Sequence, residues 1–205
     1  MQYQIDHCGI VILAAGQSKR LGRPKQMLEY DGISLIDRVI QTAVKSSCRP
    51  IALVLGASAE QIIQNGNTEH VHTVINEQWE EGMASSIRAG LNALLAIDKE
   101  MDGVIILVCD QPHLNVEHIN GLLNLQATQD LPAAACSYGG ILGTPALFHK
   151  TLFENLLMLQ GDVGAKKIIA GMEHNVAILE FEKGLFDIDT ENDYQDLLQE
   201  KNKEA

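Results

Sequence analysis

Apolar positions along this chain fall into short unbroken runs, separated by segments in which they recur at helical spacing. Residues 9–14, 51–55 and 104–108 are continuous runs rich in Val, Ile and Leu. Such runs mark strands buried on both faces, as in a parallel sheet. Between the first two, Leu35, Ile36, Val39, Ile40, Ala43 and Val44 share one helical face, and the pattern stops before Pro50. Between the second and third runs, the spacing predicts a weaker helix over 59–64, a short strand over 71–75 and a helix over 84–97. Strict alternation of strand and helix predicts an α/β fold, a doubly wound, mostly parallel sheet with helices on both faces and right-handed crossovers. A ligand is then expected beyond the carboxyl ends of the strands.

The second half is less regular. A helix is expected over 116–125 and a strand over 133–137. The Gly-rich stretch 138–145 follows, read as a turn or a hairpin excursion. Helices over 151–157 and 164–170, a strand over 176–179 and a last helix opening after Asp189 and Thr190 complete the pattern, Asp and Thr being good N-caps. No repeat, low-complexity tract or linker interrupts residues 1–205, so one domain is expected, with 199–205 as a solvated tail.

Composition narrows the function. The chain has 205 residues with 27 acidic and 15 basic side chains, a formal charge of -12. That charge repels nucleic acid and anionic membranes unless positive charge is locally concentrated. The longest apolar runs hold six residues, far short of the roughly 20 that span a bilayer. With no basic region and cleavage pattern at the N-terminus, a cytoplasmic location is expected. Cys8, Cys48, Cys109 and Cys136 form no CxxC pair and are expected as buried free thiols. The seven histidines form no HExxH or Cys/His cluster, and no G-x-S-x-G elbow points to a covalent intermediate.

One place concentrates positive charge. After the first strand the chain reads Leu13-Ala14-Ala15-Gly16-Gln17-Ser18-Lys19-Arg20-Leu21-Gly22-Arg23-Pro24-Lys25, with four of the fifteen basic residues inside seven positions. Small residues let backbone N–H groups approach a ligand, and cationic side chains neutralise phosphate oxygens, so a polyanion cradle at a strand exit is implied. A triphosphate suits it. Five residues separate Gly16 from Gly22, and Arg23 follows, which excludes Walker A; the dinucleotide fingerprint fails at Ser18. The third apolar run ends in Cys109-Asp110-Gln111-Pro112, placing a carboxylate at the same edge. Carboxylate oxygen suits Mg²⁺, although Asp110 could equally cap the next helix.

Residues 13–25 resemble the LAAGxSxRxGxxK signature of nucleotidyltransferases built on a Rossmann-like sheet of the nucleotide-diphospho-sugar transferase type, matched at every fixed position. The resemblance implies that Leu13, Ala14, Ala15, Gly16 and Ser18 lie along the nucleotide, that Arg20 and Lys25 hold its phosphates, and that Asp110 binds the catalytic Mg²⁺. The segment Phe186-Asp187-Ile188-Asp189-Thr190-Glu191-Asn192-Asp193-Tyr194 resembles the DIDTxxDY element, which implies a second acidic ligand, Asp189 in preference to Asp187. Alternation puts both on one strand face, so periodicity does not separate them.

Two further segments resemble the molybdopterin cytidylyltransferase branch of the MobA-like family. Residues 76–87 match N-x-x-W-x-x-G-M-x-x-S-I, which implies Gly82 and Ser86 beside the nucleotide. Residues 143–148 and 159–165 match G-x-P-x-x-F and L-x-G-D-x-G-A, which implies Gly143, Pro145 and Asp162 near the acceptor. The resemblance covers roughly residues 9–198, departing at Thr190-Glu191-Asn192, where the family commonly has Pro after Thr. It implies an enzyme that moves CMP from CTP to the phosphate of molybdopterin and releases pyrophosphate. A molybdoenzyme or its chaperone would be a transient partner, and neither nucleic acid nor membrane would be bound. Guanylyl transfer to molybdopterin, cytidylyl transfer to a sugar or polyol phosphate, and a nucleotide-binding accessory module without turnover remain alternatives.

Overall fold

The structure is a computed structural model that describes residues 2–172 and 174–204, the side chains of 200–204 excepted. The first three apolar runs become β1 (Cys8–Ala14), β4 (Ile51–Leu55) and β6 (Gly103–Val108), each buried along almost its whole length. With β5 (His72–Ile75) they form a parallel block in the order β5-β4-β1-β6. Between β1 and β4 lie a two-stranded ribbon, β2 (Glu29–Tyr30) and β3 (Ile33–Ser34), and α1 (Leu35–Lys45). Ser34 caps α1, its hydroxyl accepting from Asp37 N at 3.1 Å. The crossovers to β5 and β6 are α2 (Ala59–Asn65) and α3 (Met83–Ile97).

Side chains of β1 alternate between two cores. Ile10 and Ile12 pack with Ile36, Val39 and Ile40 of α1. Val11 and Leu13 pack with Ile87, Leu91 and Leu94 of α3 on the other face. Helices therefore cover both faces, which is why β1, β4 and β6 lack polar alternation.

The second half departs from the expected excursion. After α4 (Val116–Gln129), β7 (Ala133–Tyr138) turns at Gly139 and Gly140, with φ of 55° and 76°, into β8 (Ile141–His149). Two successive residues at positive φ match the right-handed twist of a hairpin, and glycine adopts them freely. β8 is no excursion: it runs antiparallel between β6 and β7 in the central sheet, with β9 (Val176–Glu180) beyond β7. Pro145 hid this strand in the sequence. It is tolerated because the β6 ladder ends at Ala146, paired with Ile106, and the β7 register shifts between Ala135 and Cys136. α5 (Phe153–Leu157) and α6 (Lys166–Ala170) cover this half, and α7 (Glu191–Glu204) closes the chain.

All four cysteines are free and buried. No helix among the described residues is long and apolar enough to cross a membrane.

Candidate active site

The chain leaves β1 toward β4 on one side, whereas the crossover from β5 returns to β6 on the other. Strand order thus reverses between β1 and β6, and Leu13 pairs with Val108 where both strands end. A ligand crevice opens at such a reversal. Here it is a cleft of about 540 Å³.

Leu13 and Ala14 at the end of β1, and Ala15, Gly16, Ser18 and Lys25 after it, line this cleft. Gly82, Ser86 and Asp162 line it from the opposite wall, and Asp110 from the end of β6. Arg20 is outside the lining, 68% exposed, with its guanidinium 2.6 Å from Asp189 Oδ2, itself paired with Lys25. Gly143 and Pro145 lie outside the lining, on β8; they connect to the β6 edge through Gln111, whose Nε2 donates to Thr144 O at 3.0 Å.

Local bonding shapes the loop. Ser18 has a φ of 55° and its carbonyl accepts from Leu21 N and Gly22 N, while its hydroxyl accepts from Lys25 N at 3.1 Å. Gln26, 1% exposed, donates Nε2 to Ala14 O at 2.9 Å and Gly16 O at 3.0 Å. That buried amide holds the strand exit open, a role nothing in the local sequence pattern signals.

The charged centre is a chain of ion pairs. Lys25 Nζ lies 2.6 Å from Asp110 Oδ2 and 2.9 Å from Asp189 Oδ1. Burial alone would lower the Lys25 pKa, but the Asp110 carboxylate beside it holds it above the ordinary value. Burial likewise favours neutral Asp189, yet the bonds and charges of Lys25 and Arg20 hold its carboxyl below the usual range. Asp187 makes no ion pair among the described residues: burial, then the Asp110 charge, push its carboxyl up to about 7 against the opposing charge of Lys25.

The late acidic motif is anchored over the loop. Ile188 N donates to Asp110 O at 3.4 Å. Asp193 Oδ2 accepts from Thr190 N, and Asp193 N returns a bond to Thr190 Oγ1, a reciprocal cap that opens α7. Arg23 binds Glu191 at 2.8 Å and lies over the Tyr194 ring at 5.4 Å, tying the loop to that helix. Leu28, Tyr30, Leu35, Ile188 and Leu197 form a small separate core beneath.

The carboxylates suit a hard divalent cation. Asp110 Oδ1 is buried with no hydrogen-bond partner, and Asp187 stands close enough to feel its charge. Among the described residues no three His, Cys, Asp or Glu side chains gather to hold a metal alone. A partial set fits Mg²⁺, which binds through one or two carboxylates with substrate phosphates completing its shell.

The opposite wall carries a clasp that sequence reading did not find. Arg88 of α3 meets Glu81 at 2.6 Å, and Glu81 Oε1 accepts from Gly161 N at 3.2 Å. Gly82, with a φ of 118°, lies so close to the 161–162 turn that a Cβ would come within 2.6 Å of Asp162 backbone atoms. Together these contacts seat Asp162 in the cleft.

A doubly wound sheet with a small-residue cationic loop facing a strand-end carboxylate defines a nucleotidyltransferase class of protein. The chain belongs to the MobA-like NTP transferase domain family, whose profile matches residues 10–177. It is 30% identical over 195 residues to purine catabolism protein PucB of Bacillus subtilis, spanning 90% of this chain and 92% of that one. It is 35% identical over 128 residues to nicotine blue oxidoreductase of Paenarthrobacter nicotinovorans, spanning 62% of this chain and 61% of that protein, less than two thirds of its length. It is 23% identical to molybdenum cofactor cytidylyltransferase of Escherichia coli, over 90% of this chain and 92% of that one. A crystal structure of Rv0371c from Mycobacterium tuberculosis superposes with a TM-score of 0.82 at 28% identity, covering 96% of this chain and 99% of the other. The same protein complexed with manganese gives 0.77 at 25% identity, covering 94% and 98%.

Proposed function

We propose that this protein transfers CMP from CTP to the phosphate of molybdopterin, releasing pyrophosphate. The observation that carries this reading is the convergence of the 13–25 loop and Asp110 on one cleft, with Gly82, Ser86 and Asp162 on its facing wall. The cytidylyltransferase relative supports the cytidylyl choice. PucB and the oxidoreductase carry other names, so acceptor and nucleotide are what the assay must vary.

The acceptor phosphate is anionic at neutral pH, so no strong base is needed; the protein must align attack on the α-phosphorus and neutralise developing charge. Backbone N–H groups of the small-residue loop approach the triphosphate. Lys25, now shared between Asp110 and Asp189, and Arg20, linked to it through Asp189, stabilise the departing pyrophosphate. Asp110, with Asp189 or Asp187, would hold Mg²⁺, which when bound neutralises phosphate charge and orients the reacting groups. Asp162 and the start of β8 around Gly143 and Pro145 orient the acceptor.

The test is pyrophosphate release with Mg²⁺, molybdopterin and each of CTP, GTP, UTP and ATP, with products identified by mass spectrometry. A cytidylylated pterin is expected. Release with a sugar phosphate but not the pterin moves the acceptor, and nucleotide binding without release refutes turnover.

A further inference from the structure

We propose that Asn76 is a positioning residue that sets base selectivity, by forcing the Ser86 hydroxyl to donate its proton to the bound nucleobase. This deepens the nucleotidyl-transfer reading and rests on it. Asn76 follows β5 and is 5% exposed. Its Oδ1 accepts from Gln78 N at 3.0 Å, which fixes which end of the amide is which. Nδ2 therefore faces α3, donating to Ser85 Oγ at 2.8 Å and Ser86 Oγ at 3.0 Å.

The two serines then differ. Ser85 Oγ has Gln78 O at 2.9 Å and Gly82 O at 2.8 Å as acceptors for its proton. Ser86 Oγ accepts from the amide and donates to no acceptor among the described residues. It is 4% exposed and lines the cleft. A buried hydroxyl whose lone pair is engaged by a fixed donor, with its proton unspent, calls for an acceptor on the ligand. Cytosine offers two adjacent acceptors, O2 and N3, whereas at the matching positions guanine presents an amino group and N1–H, its acceptor O6 standing where cytosine carries its own amino group. An obligate donor thus favours the pyrimidine.

Asn76→Asp tests this by reversing polarity. The carboxylate can accept from Gln78 N and from both hydroxyls, which leaves Ser86 presenting only lone pairs to the cleft. The CTP KM is expected to rise about tenfold or more, with kcat within about threefold of the parent and the CTP/GTP ratio of kcat/KM falling about tenfold. In a Ser86→Ala background, Asn76→Asp should leave that ratio unchanged. A ratio unaffected by Asn76→Asp overturns the proposal, as does an equal fall in the Ser86→Ala background. If Asn76→Asp does not fold by circular dichroism, Asn76→Ala takes its place: released from the amide, the Ser86 hydroxyl can turn either way, so a fall in the ratio that disappears in the Ser86→Ala background supports the proposal and an unchanged ratio overturns it. If the parent releases no pyrophosphate from any nucleotide, the transfer reading fails, and calorimetric affinities for CTP and GTP in parent and variant decide this inference separately by the same ratio.

Discussion

Gly82→Ala places a methyl where the backbone has no room for one. Gly82 has φ of 118° and ψ of -174°, a region that only glycine occupies without strain, at a cost of about 1–3 kcal/mol for another residue. The new Cβ would also lie 2.6 Å from Asp162 N, Asp162 Cα and Gly161 C. These are backbone atoms and cannot swing aside as a side-chain tip would, so relief by moving the turn adds a cost of order 1–3 kcal/mol. The two costs share one relaxation, and their joint effect is set at about 3 kcal/mol. For a chain of this size each kcal/mol lowers Tm by roughly 2–4 °C, so a fall of about 6–12 °C is expected. Differential scanning calorimetry measures it. Displacing the turn also weakens the bond from Ala84 N to Gly161 O, now 3.2 Å, and withdraws Asp162 from the cleft, so the KM of the surviving fold should rise. Gly16→Ala is the matched control: it lies in the same cleft, its Cβ would meet nothing within 4 Å and its φ is not positive. Its Tm should stay within about 1 °C of the parent. A Gly82→Ala protein melting within about 2 °C of the parent would refute the packing argument.

Asp110→Asn should keep the circular dichroism spectrum and lower turnover by roughly a hundredfold, because an amide binds Mg²⁺ poorly; a folded, fully active variant would remove the metal role. Lys25→Ala leaves Asp110 and Asp189 without their shared ammonium. Since Asp189 is held below its usual pKa, the stability that Lys25 confers is present above the ordinary carboxylate range and lost as pH falls through the lowered value. The denaturant-measured deficit of the variant should therefore be largest at neutral pH and shrink in acid; a deficit constant with pH would refute the pairing. Asp187 runs the other way: its carboxyl is raised to about 7, so ionising it costs folding stability as pH climbs from the model-peptide value of 3.8 to that point. In chelator-treated protein, Asp187→Asn should raise Tm at pH 8 and not at pH 4, and no gain at pH 8 would contradict the burial argument. Ala15→Gly, which removes a methyl from the cleft wall, should narrow a CTP-over-GTP preference of roughly 10 to 200-fold; an unchanged kcat/KM ratio would place selectivity on the Ser86 wall instead.

The apolar runs at β1, β4 and β6 and the amphipathic faces of α1 and α3 by themselves settle the parallel core, because burial on two faces excludes polar alternation and one-sided burial imposes it. The cationic loop after β1 and Asp110 were equally legible as neighbours at one sheet edge, since a strand exit that gathers small and cationic residues, and another that ends in a carboxylate, stand out against an acidic chain. What local pattern could not supply is anything that depends on distant segments meeting. The central place of β8 was masked by Pro145, which reads as a strand breaker and is tolerated only because the neighbouring ladders end or shift there. Asp187 and Asp189 share one strand face in the sequence, but only the tertiary structure pairs Asp189 with Lys25 and Arg20 and leaves Asp187 near the Asp110 charge with no ion pair among the described residues. Gln26, the Arg88–Glu81 clasp and the proton of Ser86 belong to the same class. Each acts through a hydrogen bond or ion pair whose partner is chosen by chain crossing, and a hydrogen bond is decided within a few tenths of an ångström, a precision that hydrophobic periodicity does not carry.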